Sequence, residues 1–287
     1  RAHGMRFAFL EMISSEALVR DVARTHELMR TLPEDRPLGA QLVGCDPDVM
    51  AEAAAKVEAM GFDLLDLNLG CPVPKVVSNG GGSMLLREPG TAARIFTRVV
   101  RSVRRIPVTV KMRLGFRDPS GREAAHIARL AQESGIDAIA VHGRTREQGY
   151  TGAADYEAIG RVKAAVSIPV IGNGDVVDGA SAVRLRAISG CDGVMLGRGA
   201  LGNPWLYREV QAALEGLPPP PRPDLVDRAR ALLRHIELQV RHEERPLGHL
   251  RRIACWYFKD CPGVAEFRNR IHQAQSVADM RNLIEAF

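Results

Sequence analysis

The sequence has few cysteines, and their spacing suits neither disulfides nor a metal site. They lie far apart and form no C-x-x-C pair: Cys45, Cys71, Cys191, Cys255 and Cys261. An odd, scattered set of this kind argues against a disulfide-stabilised scaffold and a cysteine-ligated zinc site. We therefore predict no metal and a protein of the reducing cytoplasm.

The sequence also lacks a stretch that could cross a membrane. No apolar run approaches the roughly 20 residues that span a bilayer. The N-terminal stretch RAHGMRFAFL has neither the long apolar segment nor the small-residue cleavage site of a signal peptide. We expect a cytoplasmic protein with no membrane partner, and nothing in the sequence calls for more than a monomer.

The chain does contain enough apolar material for a large core. Of its 287 residues 46% are hydrophobic, the formal net charge is +5, and the pI is about 9.1. This length allows a barrel-sized domain with a small additional domain. The basic balance permits a polyanionic partner such as nucleic acid, although many enzymes are mildly basic without one.

Short apolar runs alternate with amphipathic stretches along most of the chain. Seven strands are predicted, at 7–12, 38–44, 64–70, 107–114, 138–143, 168–174 and 193–199. Helices are predicted between them, among others at 46–61, 122–135 and 178–190. Near-continuous apolar strands separated by helices indicate an α/β fold with a parallel sheet, open or closed into a barrel.

Polar side chains follow the C-terminal ends of nearly all the predicted strands. They are Gln41, Asn68, Cys71, Lys111, Arg113, His142, Arg144, Asn173, Asp175 and Arg198. This spread favours a (β/α)8 TIM barrel, because an open sheet would concentrate such residues at one crevice. Closure needs eight strands. Since only seven are predicted, either the first βα unit is missing from this chain, which is the expectation we adopt, or the barrel closes in an unusual way.

A proline-rich segment, GLPPPPRPD, follows the last predicted strand and cannot continue a helix. It separates an expected barrel domain at 1–215 from a small all-helical domain at 224–287, with a linker at 216–223. Helices are predicted in that last domain at 225–243, 249–260 and 266–275. Their basic residues form either a solvated face or a contact for RNA. These residues are Arg241, Arg245, Arg251, Arg252, Lys259, Arg268 and Arg270.

Two glycine-containing runs at the ends of the last two predicted strands indicate a phosphate site. They are IGNGDVVDG (171–179) and VMLGRGALGNP (194–204). The loops after strands seven and eight of such barrels often bind phosphate. Glycine lets backbone N–H groups approach phosphate oxygens, and Arg198 can add a bidentate charged contact. Either run alone would be more typical of a tight turn.

Lys111 and Gln41 are polar residues within otherwise apolar strands. A buried lysine needs an anionic partner, which is either a neighbouring carboxylate or an electron-rich cofactor ring. Gln41 suits the amide edge of such a ring. His142 and Arg144 lie two residues apart, so strand alternation places them on one face, which favours an anionic or carbonyl-bearing ligand.

Cys71 lies between Gly70 and Pro72 at the end of a predicted strand. A free cysteine is most often a small, inert apolar residue. No histidine is close in sequence, so a Cys–His acyl-transfer pair has little support. A thiol at the rim can instead act as a general acid that protonates a carbon while a hydride arrives from the other side.

Five motifs together resemble one known family. They are DLNLGCPVPKVVSNGGGSMLL, VKMRLGF, VHGRTREQGYTG, PVIGNGDV and GVMLGRGALGNPW. Their residues, order and spacing closely resemble the tRNA-dihydrouridine synthases, nearest to the bacterial B-type branch. The resemblance covers nearly the whole chain, including RRIACWYFKDCPG in the tail.

The resemblance implies an FMN-bound (β/α)8 barrel followed by a helical tRNA-binding domain. It implies that NADPH reduces the flavin, which then reduces the C5–C6 double bond of a tRNA uridine to 5,6-dihydrouridine. Cys71 then matches the acid that protonates C5, while hydride passes from flavin N5 to C6. Asn68 matches the residue that orients the uracil, and Arg144 is expected to face it.

The same resemblance assigns contacts for the cofactor and the RNA. Gln41, Lys111 and His142 match contacts to the isoalloxazine ring. The cradle of the FMN phosphate matches Asn173, Gly174, Asp175, Gly197 and Arg198. In the tail, Arg251 and Arg252 match tRNA contacts.

Two other functions stay open on the sequence alone. One is a small-molecule FMN oxidoreductase of the dihydroorotate or dihydropyrimidine type, which would have no use for a basic helical tail. The other is a non-catalytic RNA-binding relative, which would have no need of the set Asn68, Cys71, Lys111 and His142. The modified uridine and the preference for NADPH over NADH are not readable from the sequence.

Overall fold

The computed structural model describes residues 2–242 and 247–287, so Arg1 and residues 243–246, with the predicted basic residue Arg245, lie outside the described part. Seven parallel strands form one sheet in the order β1 to β7. The strands are β1 (Ala8–Ser14), β2 (Leu38–Val43), β3 (Leu64–Leu69), β4 (Val108–Arg113), β5 (Ala138–His142), β6 (Val170–Asn173) and β7 (Gly193–Met195).

Helices connect successive strands and continue beyond β7. The α-helices are α1 (Ser15–Val19), α2 (Ala23–Leu28), α3 (Pro47–Ala59), α4 (Pro74–Ser78), α5 (Pro89–Ser102), α6 (Arg122–Glu133), α7 (Tyr156–Lys163), α8 (Gly179–Ser189), α9 (Leu206–Leu214), α10 (Leu225–His242), α11 (Leu247–Tyr257), α12 (Val264–Gln273) and α13 (Val277–Glu285). Three 3-10 helices lie at Pro33–Asp35, Gly82–Leu86 and Arg198–Ala200.

All seven predicted strands are confirmed, with bounds that differ by a few residues. The parallel α/β arrangement is confirmed as well, and the sequential strand order is the one that βα units give in a barrel. In the described part of the chain β1 and β7 end the strand order. Closure into eight strands and a missing first unit therefore stay predictions.

Local chemistry explains where the elements begin. The α3 helix starts at Pro47 after Asp46, whose carboxylate accepts hydrogen bonds from Asp48 N at 2.9 Å and Val49 N at 3.0 Å. In β3 the side chains of Leu65, Leu67 and Leu69 are buried, so this strand packs within the core that positions its polar end.

The chain divides into two compact units. The first comprises residues 1–176 and 180–196 and contains the whole sheet. The second comprises 177–179 and 197–287, with helices α9 to α13. Among the described residues, no helix combines the length and apolar character that a membrane span needs. The same residues offer no group of three or more His, Cys, Asp or Glu side chains for a metal ion.

The main segment of the second compact unit begins at Gly197, before the linker predicted at 216–223, and the predicted domain bounds stay a prediction. Gly202 (φ +69°) passes so close to the backbone of Trp256 that a Cβ at this position would clash with it. Trp205 packs against the buried cluster of the helical tail. The segment after Gly197 thus belongs to the same compact unit as the C-terminal helices. In that unit α13 is a further helix that the sequence did not predict.

Candidate active site at the carboxyl ends of the strands

The first unit brings most of the predicted site residues to one edge of the sheet. Parallel pairing places Asn68 of β3 beside Lys111 of β4, and His142 of β5 beside Asn173 of β6. Because the carboxyl ends of parallel strands meet at one edge, the loops that follow them lie there too. The loop after β3 carries Cys71.

Cys71 is held through its backbone on both sides. Its N–H donates to Asn68 Oδ1 at 2.8 Å, and Gly70 N donates to the same oxygen at 3.1 Å. Its carbonyl oxygen accepts from the N–H of Ser83 at 3.1 Å and from its hydroxyl at 3.0 Å. Cys71 is 9% exposed, whereas Ser83 is fully buried. The loop that carries the thiol is therefore anchored to the end of β3 and to the 3-10 helix at 82–86.

Gln41 and Asn68 form a pair across the ends of β2 and β3. Asn68 Nδ2 donates to Gln41 Oε1 at 2.7 Å, and Gln41 Nε2 donates to Asp66 Oδ2 at 2.7 Å. Thr109 donates to the other oxygen of Asp66 at 2.6 Å. Asp66 is not among the site residues predicted from the sequence, although a single carboxylate within the apolar run LLDLNL was a signal for it.

Lys111 is a half-buried cation without a direct anionic partner. Within the described residues, its ammonium has neither a hydrogen bond nor a carboxylate oxygen within 4.0 Å. Burial lowers the pKa of Lys111 to about 8, Asp66 opposes this effect and Arg113 adds to it. A desolvated cation in this state favours an electron-rich or anionic ligand.

His142 is neutral at physiological pH. Burial lowers its pKa to about 3, with further lowering by the cations of Lys111, Arg113 and Arg144. Arg144 Nη1 lies 3.3 Å from His142 Nε2, and since a guanidinium only donates, this nitrogen accepts. The ring proton therefore lies on Nδ1, where it is available to a ligand.

Arg144 forms a buried ion pair with Asp175. Its Nη2 lies 2.6 Å from Asp175 Oδ2, and the Arg144 side chain is 3% exposed. The guanidinium also donates to the carbonyl oxygens of Thr151 and Gly152, and Asp175 Oδ2 accepts from Ala154 N at 2.8 Å. Arg144 was predicted to contact an anionic or carbonyl-bearing ligand. A carboxylate and two carbonyl groups of the chain itself already occupy part of its guanidinium, and its contact with uracil stays a prediction.

Arg113 ties the cysteine loop to the loop after β5. It is 3% exposed and donates to Gly70 O at 2.9 Å, Thr145 O at 2.9 Å and Gly149 O at 2.8 Å. Its guanidinium also lies 5.5 Å from the ring centroid of Tyr150. Both loops consequently share one buried support.

The turn after β6 has the backbone conformation expected where a phosphate approaches the chain closely. Gly174 has φ +135°, and a Cβ there would lie 2.6 Å from Ala154 Cβ. Its carbonyl accepts from the hydroxyl of Tyr156 at 3.0 Å, and Asn173 Nδ2 donates to Met195 O at 2.8 Å. Asp175 follows with φ +52°. Such a turn suits the predicted phosphate contact through backbone N–H groups.

The other predicted contacts belong to the second unit. Gly197 and Arg198 are exposed at the start of the 3-10 helix at 198–200. Arg251 donates to Ala274 O, which ties α11 to the end of α12. Arg252 is exposed, and its guanidinium lies 5.9 Å from the ring centroid of Trp256. The phosphate and tRNA contacts of these residues stay predictions.

The donor set of the first unit fits a flavin. Lys111 provides a cation, His142 a neutral N–H donor and Gln41 an amide, all on neighbouring strand ends. The polar edge of an isoalloxazine ring takes hydrogen bonds and, in the reduced state, a nearby cation. The unpartnered ammonium of Lys111 is the observation that most favours a ligand of this kind.

Comparison with known proteins places the chain beside tRNA-modifying enzymes. The family model described as "Dihydrouridine synthase (Dus)" matches residues 1–287. A probable tRNA-dihydrouridine synthase of Rickettsia bellii is 40% identical over 280 residues, covering 96% of this chain and 85% of the relative. The tRNA-dihydrouridine synthase B of Pseudomonas aeruginosa is 38% identical over 280 residues, covering 96% and 83%.

One solved structure supports the fold. Histamine dehydrogenase from Rhizobium sp. 4-9 superposes with a TM-score of 0.54 at 14% identity, covering 75% of this chain and 42% of that one. At this level of identity the likeness concerns the fold alone.

Proposed function

The chain belongs to the dihydrouridine synthase family and is therefore an enzyme, and we propose that it reduces uridine in tRNA to 5,6-dihydrouridine. The proposal rests on the relatives and on one feature of the site. The thiol of Cys71, whose backbone is anchored by Asn68, lies at the edge of the sheet that also carries the Lys111 ammonium and the neutral His142 ring.

Reduction of the C5–C6 double bond needs a hydride at one carbon and a proton at the other. FMN bound at this edge of the sheet would supply the hydride chemistry for C6, with the reducing equivalents taken from NADPH. The Sγ–H of Cys71 gives its proton to C5, and the resulting thiolate regains a proton from solvent. One NADPH and one proton are consumed for each uridine, and NADP+ and dihydrouridine are formed.

The other residues hold the two reactants in place. Asn68 uses one N–H of its amide on Gln41, so the second N–H can donate to a uracil carbonyl. Lys111 would place a cation beside the ring and His142 would offer its Nδ1–H as a donor to it. Gln41 contacts the amide edge of the ring. Backbone N–H groups around Gly174 and Asp175, with Asn173, would hold the FMN phosphate. The resemblance assigns Gly197 and Arg198 to the same phosphate.

The helical segment at 224–287 binds the tRNA, and the enzyme acts as a monomer in the cytoplasm. A folded RNA is gripped chiefly through phosphates and shape, which suits exposed basic helices. The target base must leave the tRNA fold to reach the flavin. The relatives' names favour tRNA over a free pyrimidine as substrate.

Deletion of the gene tests the proposal in cells. Mapping of dihydrouridine across the tRNA pool should show that one or more positions revert to uridine. The wild-type gene should restore them, whereas a Cys71→Ala copy should not. An unchanged dihydrouridine map in the deletion strain would contradict the proposed function.

Charge reversal at Arg252 tests the tRNA contact. We expect Arg252→Glu to weaken tRNA binding several-fold near 0.1 M salt and to lower the salt slope of binding by about 1 to 2, because a phosphate contact is lost. NADPH oxidation without tRNA should not change. Arg251 is a poorer choice for this test, since its bond to Ala274 O supports the fold of the tail.

The matched control is Arg101→Glu. Arg101 is exposed in the last turn of α5, which leads to the amino end of β4, so it lies away from the carboxyl ends of the strands. The variant carries the same charge change and should leave tRNA affinity within about twofold. An equal loss of affinity in both variants, or an equal loss of NADPH oxidation, would argue against Arg252 as a tRNA contact.

A further inference from the structure

A continuous row of hydrogen bonds crosses three strands and ends at the backbone of Cys71. It runs from Thr109 to Asp66, from Asp66 to Gln41, and from Gln41 to Asn68, with side-chain distances of 2.6, 2.7 and 2.7 Å. It ends where Asn68 Oδ1 accepts from the N–H groups of Gly70 and Cys71. Gln41, Asp66 and Thr109 are register partners on β2, β3 and β4, so the pairing of the sheet fixes this row.

The two ends of the row determine the orientation of both amides between them. Ionised Asp66 only accepts hydrogen bonds, so Gln41 must turn its Nε2 toward it and its Oε1 toward Asn68. Asn68 must then turn Nδ2 toward Gln41 and Oδ1 toward Cys71. The backbone N–H groups at the far end only donate, which requires the same orientation. Every member of the row is consistent with a single direction.

We propose that Asp66 is a positioning residue for uridine reduction, because its carboxylate fixes the orientation of the Gln41 and Asn68 amides and so the placement of Cys71 against the base. This inference rests on the proposed function and names a residue that does not touch either reactant. Asp66 acts through Gln41 on the flavin side and through Asn68 on the uracil side.

Burial of the Asp66 carboxylate costs free energy, which favours a role for its charge in orienting the two amides. The residue is 1% exposed, and burial raises its pKa to about 6, although Thr109, Gln41 and the Lys111 cation oppose this. A buried carboxylate with two donors and no ion-paired arginine or lysine contributes little net stability. Its acceptor-only character is what an asparagine of the same shape would lack.

The test is Asp66→Asn, measured in the two half-reactions of the flavin-loaded enzyme. An amide at position 66 can bond to the Thr109 hydroxyl in either orientation, because a hydroxyl donates or accepts, so position 66 no longer imposes one direction on the row. In the orientation in which its oxygen accepts from Thr109, its nitrogen faces Gln41 Nε2, and Gln41 turns over. Asn68 follows, and its Nδ2 then faces the N–H groups of Gly70 and Cys71. We expect reoxidation of the reduced enzyme by tRNA to slow about 10- to 100-fold, and at least about tenfold more than reduction by NADPH.

Two further variants make the result decisive. Asp137→Asn makes the same change at the opposite end of the strands, where Asp137 accepts from Val108 N at 2.7 Å, and should alter both half-reactions by similar small factors. Asp66→Asn combined with Gln41→Glu moves the acceptor-only group one place along the row. The carboxylate introduced at position 41 then accepts from the new amide at position 66 and from Asn68, so Asn68 regains its orientation. Because position 41 is also a proposed flavin contact, the rate with tRNA is taken relative to the variant's own reduction by NADPH. On that scale we expect the double variant to recover about tenfold or more of the loss.

The outcomes separate this inference from the proposed function. A wild-type enzyme that never reduces tRNA defeats the proposed function itself. If the wild type is active, equal slowing of both half-reactions in Asp66→Asn, or no slowing, overturns the positioning role. If Asp66→Asn does not fold, the double variant decides, because it has no donor conflict. Its recovery of folding and tRNA reduction supports the inference, and its failure in either contradicts it.

Discussion

Replacement of Cys71 by alanine is expected to slow tRNA-dependent reoxidation of the reduced enzyme by about 10²- to 10⁴-fold, the range typical of a lost general acid. The flavin should stay bound and NADPH should still reduce it, because neither step uses the thiol. Asn68 would keep its bonds to the backbone at Gly70 and at position 71, so the loop should keep its shape.

Stopped-flow absorbance of the flavin measures both steps on one sample. Cys191→Ala is the matched control, since Cys191 is also a buried thiol, 2% exposed, but precedes β7 at the other end of the strands. It should reduce tRNA at close to the wild-type rate. Survival of the tRNA step within about tenfold in Cys71→Ala would show that another group protonates C5.

Replacement of Lys111 by methionine is expected to slow flavin reduction by NADPH by about 10- to 100-fold. The substitution removes a cation beside the reduced ring, at a site where burial makes its electrostatic effect stronger than in water. The wild-type rate should fall as pH rises through about 8, where Lys111 loses its proton. Lys111→Met should be slow and nearly independent of pH over that range. A wild-type rate that stays level to about pH 10, or a variant that matches it, would contradict this role.

Stability of the flavin-free chain gives an independent check on Lys111. Its folded pKa of about 8 lies below the ordinary value of 10.5. The unfolded chain therefore binds more protons between those two pH values, and the unfolding free energy contributed by this residue rises with pH there. Lys111→Met lacks that rise. The unfolding free energy of the variant minus that of the wild type should therefore fall between about pH 8 and pH 10.5 in urea titrations.

The strands were predictable because their signal is local. Runs such as LLDLNL and VTVKMR are apolar enough to identify buried strands, and their polar ends fall at the site edge through the geometry of parallel pairing. The Asp46 cap of α3 was predictable for the same reason. Each of these features depends on residues that are close together in the sequence.

Features that depend on distant contacts were not predictable. The role of Asp66 depends on its hydrogen bonds with Gln41 on β2 and Thr109 on β4, which lie 25 and 43 residues away. The boundary at Gly197 depends on Gly202 meeting Trp256, a contact between segments far apart in sequence. The sequence places Arg144 near His142, but only the fold reveals that Asp175 occupies part of its guanidinium.

The most direct test of the account uses purified protein, FMN, NADPH and a tRNA transcript that carries no modifications. Mass spectrometry of the digested RNA should find nucleosides heavier than uridine by two hydrogen atoms, formed by the wild type and not by Cys71→Ala. If the wild type binds flavin and oxidises NADPH but leaves every uridine of a competent tRNA pool unchanged, or if Cys71→Ala forms dihydrouridine at the wild-type rate, the account is contradicted.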